Sequence, residues 1–186
     1  GFNRRFAPAY VEMKQVPNPN MIILQKNRHA LPGDIRTFVF DDFIHVLDTL
    51  LFLFDKPVKE IIVRGMKEGA KLVHVMVQLI AENGSIAMGI MNRDSGVLEE
   101  KLEVFCSEEK RTVLNLIDSR VSRVKTEISQ GQNDWESTLS KRGFEAIVDD
   151  FLNTVKQGTE QGISIKDSLF THELCEEVVN RLSAEG

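Results

Sequence analysis

The chain has 186 residues, 42% of them hydrophobic, which suits one domain with a core of ordinary size, since single domains usually run to roughly 100 to 200 residues. A formal net charge of -5 at pH 7, with no Lys/Arg block and no basic stretch interleaved with aromatics, argues against a surface built for nucleic acid or an anionic membrane. The ligand classes left are a small molecule and another protein.

Cys106 and Cys175 lie far apart without metal-ligand spacing, so neither a disulfide framework nor a zinc knuckle is suggested and a reducing cytoplasm is the expected location. The longest apolar run, residues 46–54, is interrupted by Asp48 and is shorter than the ~20 residues of a membrane span. The opening Gly1-Phe2-Asn3-Arg4-Arg5 lacks the apolar region of a signal peptide and reads as mid-protein sequence, so the chain is expected to be a fragment of a longer one.

Residues 7–15 carry a short helical pattern that Pro17 and Pro19 end. Residues 21–26 are apolar and partly β-branched, which predicts a strand, and a loop follows from Asn27 to Gly33. Between residues 38 and 54, Phe43, Leu47, Leu50 and Phe54 recur at helical spacing, with Phe40, Ile44 and Leu51 widening the apolar face. At about 100° per residue, Asp41, His45 and Asp48 fall in one narrow stripe of that helix, with Asp42 and Thr49 beside it. A polar stripe on a buried helix requires a polar counterpart or a cavity.

Strand-like segments follow at 58–66, 71–81, 85–91, 97–106, 111–117 and 121–128. Asn83-Gly84 suits a tight hairpin and Asp94-Ser95-Gly96 a longer one, so an antiparallel meander is predicted. Val73, Val75, Val77 and Leu79 make one face apolar, while Leu72, His74, Met76 and Gln78 make the other mixed. Helical periodicity returns at 140–156, stopped by Gly158, and at 164–182, where Ser164 and Asp167 form an approximate capping box. The resulting class is α+β: a predominantly antiparallel open sheet with helices packed on one face and the other face available for oligomerisation.

The strongest chemical signal is Asp41-Asp42-Phe43-Ile44-His45-Val46-Leu47-Asp48. A carboxylate one helical turn from a histidine can orient the imidazole and stabilise its protonated form, which serves acid-base catalysis near neutral pH. The same spacing also suits a partly buried histidine satisfied by an aspartate, or two ligands of a metal site.

Three features in order resemble the C-terminal domain of the Gfo/Idh/MocA oxidoreductases. They are the opening Gly1-Phe2-Asn3-Arg4-Arg5-Phe6, the strand ending Lys26-Asn27-Arg28, and the helix with Asp41, His45 and Asp48. The resemblance extends through the meander to the closing helices around Trp135, Arg142-Gly143-Phe144 and Thr171-His172. It implies a two-domain enzyme in which a Rossmann domain holds NAD or NADP and residues 1–186 supply the substrate site for a sugar or polyol. The histidine matching His45 would be the general base on a substrate hydroxyl, with the aspartate matching Asp41 supporting it. The family's lysine, in a Glu-Lys-Pro motif, has no match here, and neither does a Gly-x-Gly-x-x-Gly fingerprint. The chain alone is therefore expected to hold no cofactor and no metal and to be inactive, and its sheet is expected to build a homodimer or larger assembly.

Lys26, Asn27 and Arg28 stand where similar enzymes place pocket residues, with donors for sugar hydroxyls or a substrate carboxylate. Asp48, Arg93 at a hairpin end and His172 on the last helix complete the candidate substrate contacts. Trp135, after a polar loop, is expected to anchor the core, with stacking on a sugar as the other reading. Two other classes stay open: a non-catalytic sugar-binding or dimerisation module of the same fold, and a metal-dependent hydrolase using Asp41, His45 and Asp48.

Overall fold

The computed structural model describes residues 1–131, 135–158 and 163–184. A 3-10 turn at Asn3–Phe6 leads into helix α1, Pro8–Met13, whose Tyr10 is fully buried. Strand β1 is Met21–Asn27; the chain then runs through a short helix α2, Ile35–Phe38, a π turn at Val39–Phe43 and helix α3, Ile44–Phe54. The strands that follow are β2 (Val58–Glu68), β3 (Lys71–Ala81), β4 (Ile86–Asn92), β5 (Glu99–Phe105), β6 (Lys110–Leu114), β7 (Asp118–Arg123) and β8 (Thr126–Gln130). Helices α4 (Thr138–Lys141), α5 (Phe144–Gln157) and α6 (Ile165–Ala184) close the chain.

The fold is α+β, and its eight-stranded sheet has the order β2-β3-β4-β1-β5-β6-β7-β8. The sheet is mixed rather than a pure meander, because β1 lies between β4 and β5, parallel to the first and antiparallel to the second. Asp94-Ser95-Gly96 therefore closes no hairpin: it carries the chain past the end of β1, where Ser95 N donates to Arg28 O at 2.8 Å. The expected strand at 121–128 is two strands joined by a turn at Val124, which is 99% exposed. That turn has neither Gly, Asn nor Pro, so it carried no sequence signal.

Alternation holds where it was clearest. Val75, Val77 and Leu79 are buried in the core, while His74, Met76 and Gln78 are half-buried; a register shift between Met66 and Lys67 skips Val73, and Leu72, expected on the mixed face, is fully buried in the core. Helix α3 lies close on the sheet at Gly89, where an added Cβ would come within 2.8 Å of Leu50 Cδ1 and 3.0 Å of Val46 Cγ1. Phe43, Leu47 and Leu50 are fully buried there; each such side chain contributes about 1.5–3 kcal/mol relative to exposure. Helix α6 packs on α3 through Leu174, Cys175 and Val178, and begins with the predicted box: Asp167 N donates to Ser164 Oγ at 3.0 Å and Ser164 N to Asp167 Oδ2 at 3.3 Å.

The predicted helix at 140–156 is divided by Gly143, which has φ +76°. The opening segment crosses at this point, and a Cβ on Gly143 would lie 2.3 Å from Asn3 O. The apolar side of α5, including Phe144, Val148, Phe151 and Val155, remains largely exposed. Trp135 is 92% exposed instead of anchoring the core, because the turn it occupies leads into α4, which buries no residue.

Candidate active site

The register of β1 decides where the charged groups collect. Ile22 pairs with Val104 and Leu24 with Leu102 on the helix-covered face; the next pair on that face is Lys26 with Glu100. Arg93, one step past the end of β4, joins them. The apolar face of the sheet thus ends in three buried charged side chains beside α3.

The π turn supplies their counterpart. Its wider winding inserts an extra residue ahead of α3, leaving Asp41 exposed and Asp42 buried. Lys26 Nζ donates to Asp42 Oδ1, Arg28 Nε donates to Oδ2 at 3.2 Å, and Arg93 Nη2 lies 3.5 Å from the same oxygen. Arg93 is also stacked over the Phe38 ring, 4.5 Å from its centroid. Burial pushes the Asp42 carboxyl up, but Lys26 and then Arg28 outweigh that and hold it well below the usual carboxylate range. Burial lowers Lys26, helped by Arg4 and opposed by Asp42.

Alongside, Arg4 grips Glu100 through two bonds of 2.7 and 2.8 Å, and Tyr10 Oη donates to Glu100 Oε1 at 2.9 Å. Burial raises Glu100, yet Arg4 and Lys26 bring it below its ordinary value.

His45 is half-buried above these groups. Burial, then the charges of Arg4 and Lys26, lower its pKa to about 4 against the pull of Asp42, so the imidazole is neutral at pH 7. Its Nδ1 is shut off from solvent without a hydrogen-bond partner among the described residues. His45 lines a cavity of about 630 Å³ walled by Phe2, Phe40, Ile147 and Phe151, which His172 also lines. The Phe2 ring stands edge-on to both imidazoles, 6.5 Å from His45 and 6.0 Å from His172. His172 Nδ1 is 2.7 Å from Ser168 O; a carbonyl only accepts, so Nδ1 is the donor of this bond.

The predicted residues are thus partly brought together. Lys26, Arg28 and Arg93 converge on Asp42, and His45 shares a cavity with His172. Arg93 is buried rather than at a rim. Asn27 is buried, accepts from Gln25 Nε2 at 3.1 Å and donates to Glu99 Oε1 at 3.5 Å. Asp48 turns away from the cavity: Arg5 and Thr171 Oγ1 donate to its carboxylate. Asp41 enters no ion pair among the described residues, and Asp42 is the carboxylate whose charge bears on His45. Asp42 carried no distinguishing signal, because only the π turn separates its fate from that of Asp41. Glu100 and Tyr10 were legible only as a polar residue on an apolar strand face and a buried phenol that needs a partner.

Among the described residues no three His, Cys, Asp or Glu side chains are grouped to hold a metal ion, and the cations around His45 oppose one. They form no glycine-rich strand–helix turn either, so these residues do not fit the cradle of a dinucleotide. No described helix is long and apolar enough to cross a membrane.

Residues 8–124 match the family model of the YceM-like C-terminal domain. YceM of Salmonella typhimurium, whose name assigns it to the oxidoreductases, is 27% identical over 86% of this chain and 53% of its own length. An inositol 2-dehydrogenase of Acidothermus cellulolyticus is 25% identical over 71% of this chain and 50% of its own. The chain therefore spans about half the length of these curated relatives. Among solved structures, a dehydrogenase (MviM) of Clostridium difficile superposes with a TM-score of 0.92 at 26% identity, covering 97% of this chain and 61% of that one. A Gfo/Idh/MocA family oxidoreductase of Vibrio cholerae gives 0.87 at 28% identity, over 100% of this chain and 61% of that one.

Proposed function

The chain belongs to the YceM-like C-terminal domain family of the Gfo/Idh/MocA type, and on that premise we propose that it is the substrate-binding and oligomerisation half of an NAD(P)-dependent oxidoreductase acting on a CH–OH group. The observation that carries this reading is His45: a neutral imidazole on the wall of a cavity that a second histidine also lines, with a buried ring nitrogen that no described residue satisfies. Such a base takes the proton of a substrate hydroxyl, typically worth 10²–10⁴-fold in rate. The buried Asp42 offsets part of the positive field on His45; Asp41, on the exposed side of the π turn, has its carboxylate free to reach an incoming group.

A sugar or polyol fits the cavity, whose aromatic walls take the C–H face of a ring while imidazoles meet its hydroxyls; the likeness to an inositol dehydrogenase supports that class. NAD or NADP belongs on a separate Rossmann domain. The half-buried sheet face with Met76, Met88 and Ile90 supports a homodimer or larger assembly, and two free cysteines suit a cytoplasmic setting.

The test uses the full-length protein with NAD⁺ or NADP⁺ and a panel of polyols and sugars. Oxidation of a member of the panel, with kcat lowered at least a hundred-fold in His45→Ala and cofactor affinity unchanged, is the expected result. An unaltered kcat removes the role given to His45. Light scattering that returns a monomer at micromolar concentration removes the assembly.

A further inference from the structure

Three cations, Lys26, Arg28 and Arg93, meet on the single carboxylate of Asp42, so two positive charges in this cluster have no negative partner among the described residues. The adjacent groups do not correct the imbalance. Arg4 and Glu100 neutralise each other, and Tyr10 adds only a hydroxyl that burial and Glu100 keep protonated. Among the described residues, Glu99 receives the amide of Asn27 and no guanidinium or ammonium, and Asp41 lies outside every ion pair.

Surplus charge of this kind is ordinary on an open surface, but Lys26 is 2% exposed and Arg93 5% exposed. Buried charges are normally paired, and buried donors normally have acceptors. Here Arg93 Nε has none among the described residues. Arg28 is the most open of the three, with 39% of its side chain exposed, so a ligand can approach from its side. Its guanidinium is a planar fork suited to two oxygens of one anion. Asp42, on which the cations meet, stands three residues before His45 where the π turn runs into α3, which places the cluster beside the group proposed to take the substrate proton.

We propose that the substrate of this site carries an anionic oxygen group, a carboxylate or a phosphate, bound by Arg28 with Lys26 and Arg93 behind it while a hydroxyl of the same molecule meets His45. The inference rests on the oxidoreductase reading for the hydroxyl and on the charge imbalance alone for the anion. A neutral polyol would leave the two charges unmatched.

The experiment compares glucuronate and glucose 6-phosphate with glucose and myo-inositol, by titration calorimetry on this chain and by steady-state kinetics on the full-length protein. One or both acids are expected to bind at least ten-fold tighter than the neutral probes. Arg28→Gln should reduce that preference at least ten-fold, Arg28→Lys should restore part of it, and added salt should weaken it. Preference for glucuronate alone identifies a carboxylate, and for glucose 6-phosphate alone a phosphate. Equal affinity for all four probes, or a preference that Arg28→Gln leaves intact, overturns the proposal. Should the full-length protein oxidise myo-inositol as readily as the acids, the anion falls and the oxidoreductase reading stands. Should it oxidise none of them while the chain binds an acid through Arg28, the anion site stands and the oxidoreductase reading falls.

Discussion

Arg5 closes a fork on Asp48: Nε lies 3.0 and 3.1 Å from the two carboxylate oxygens and Nη2 2.7 Å from Oδ1, joining the opening turn to a helix that starts about forty residues later. Thr171 Oγ1 donates to the same carboxylate from α6 at 3.2 Å. Asp48 therefore ties three segments together and makes no wall of the cavity.

Replacing Asp48 with Ala leaves the Arg5 guanidinium with only the half-exposed Asp167, 3.8 Å away, as counter-charge, which is expected to cost about 3 kcal/mol. Urea denaturation measures it. A substrate contact would behave differently: stability would hold and only ligand affinity would fall.

Asp41 and Asp42 give a sharper contrast, because they are adjacent in sequence and opposite in environment. Asp42→Asn weakens the carboxylate that Lys26, Arg28 and Arg93 share and is expected to lose about 3 kcal/mol or more. Asp41→Asn, at an exposed site, is expected to stay within about 0.5 kcal/mol. Equal shifts in the denaturation midpoint would show that the π turn does not sort the two as described.

The pH dependence of stability follows from His45. Its folded pKa of about 4 lies below the ordinary 6.5, so as pH falls the unfolded chain gains the proton first. Its contribution is present in full above pH 6.5 and is lost progressively down to about 4. The depressed carboxyls of Asp42 and Glu100 withdraw their support only below their ordinary carboxylate values. Melting temperatures at pH 7 and pH 5 are therefore expected to differ less in His45→Gln than in the parent, and an NMR titration of the ring should place its midpoint below 5.

Gly143→Ala forces a Cβ to within 2.3 Å of Asn3 O and 2.6 Å of Ala7 N at a left-handed φ of +76°. Strain of this kind costs of order 1–3 kcal/mol before the backbone contact is counted. Hydrogen exchange should show the Asn3–Phe6 turn losing protection as α4 and α5 are pushed off it.

Much of the fold was legible locally. Period-two alternation located β3 and its buried face, and Ser164, Asp167 and Gly158 marked helix ends that the structure keeps. The turn at Val124 and the break at Gly143 were missed for opposite reasons. The first uses residues with no turn preference, and the second is imposed by a segment far away in sequence.

The sequence by itself determined the α+β class, the family likeness and the helix that carries His45, because periodicity, capping and short motifs depend on neighbours along the chain. Tertiary structure alone decided which aspartate faces inward, that Asp48 is a structural tie, and that Lys26 and Arg93 share one carboxylate. Those outcomes depend on β1 inserting between β4 and β5 and on one extra residue wound into the π turn. Charge balance is a property of groups brought together by the fold, and no spacing along the chain records it.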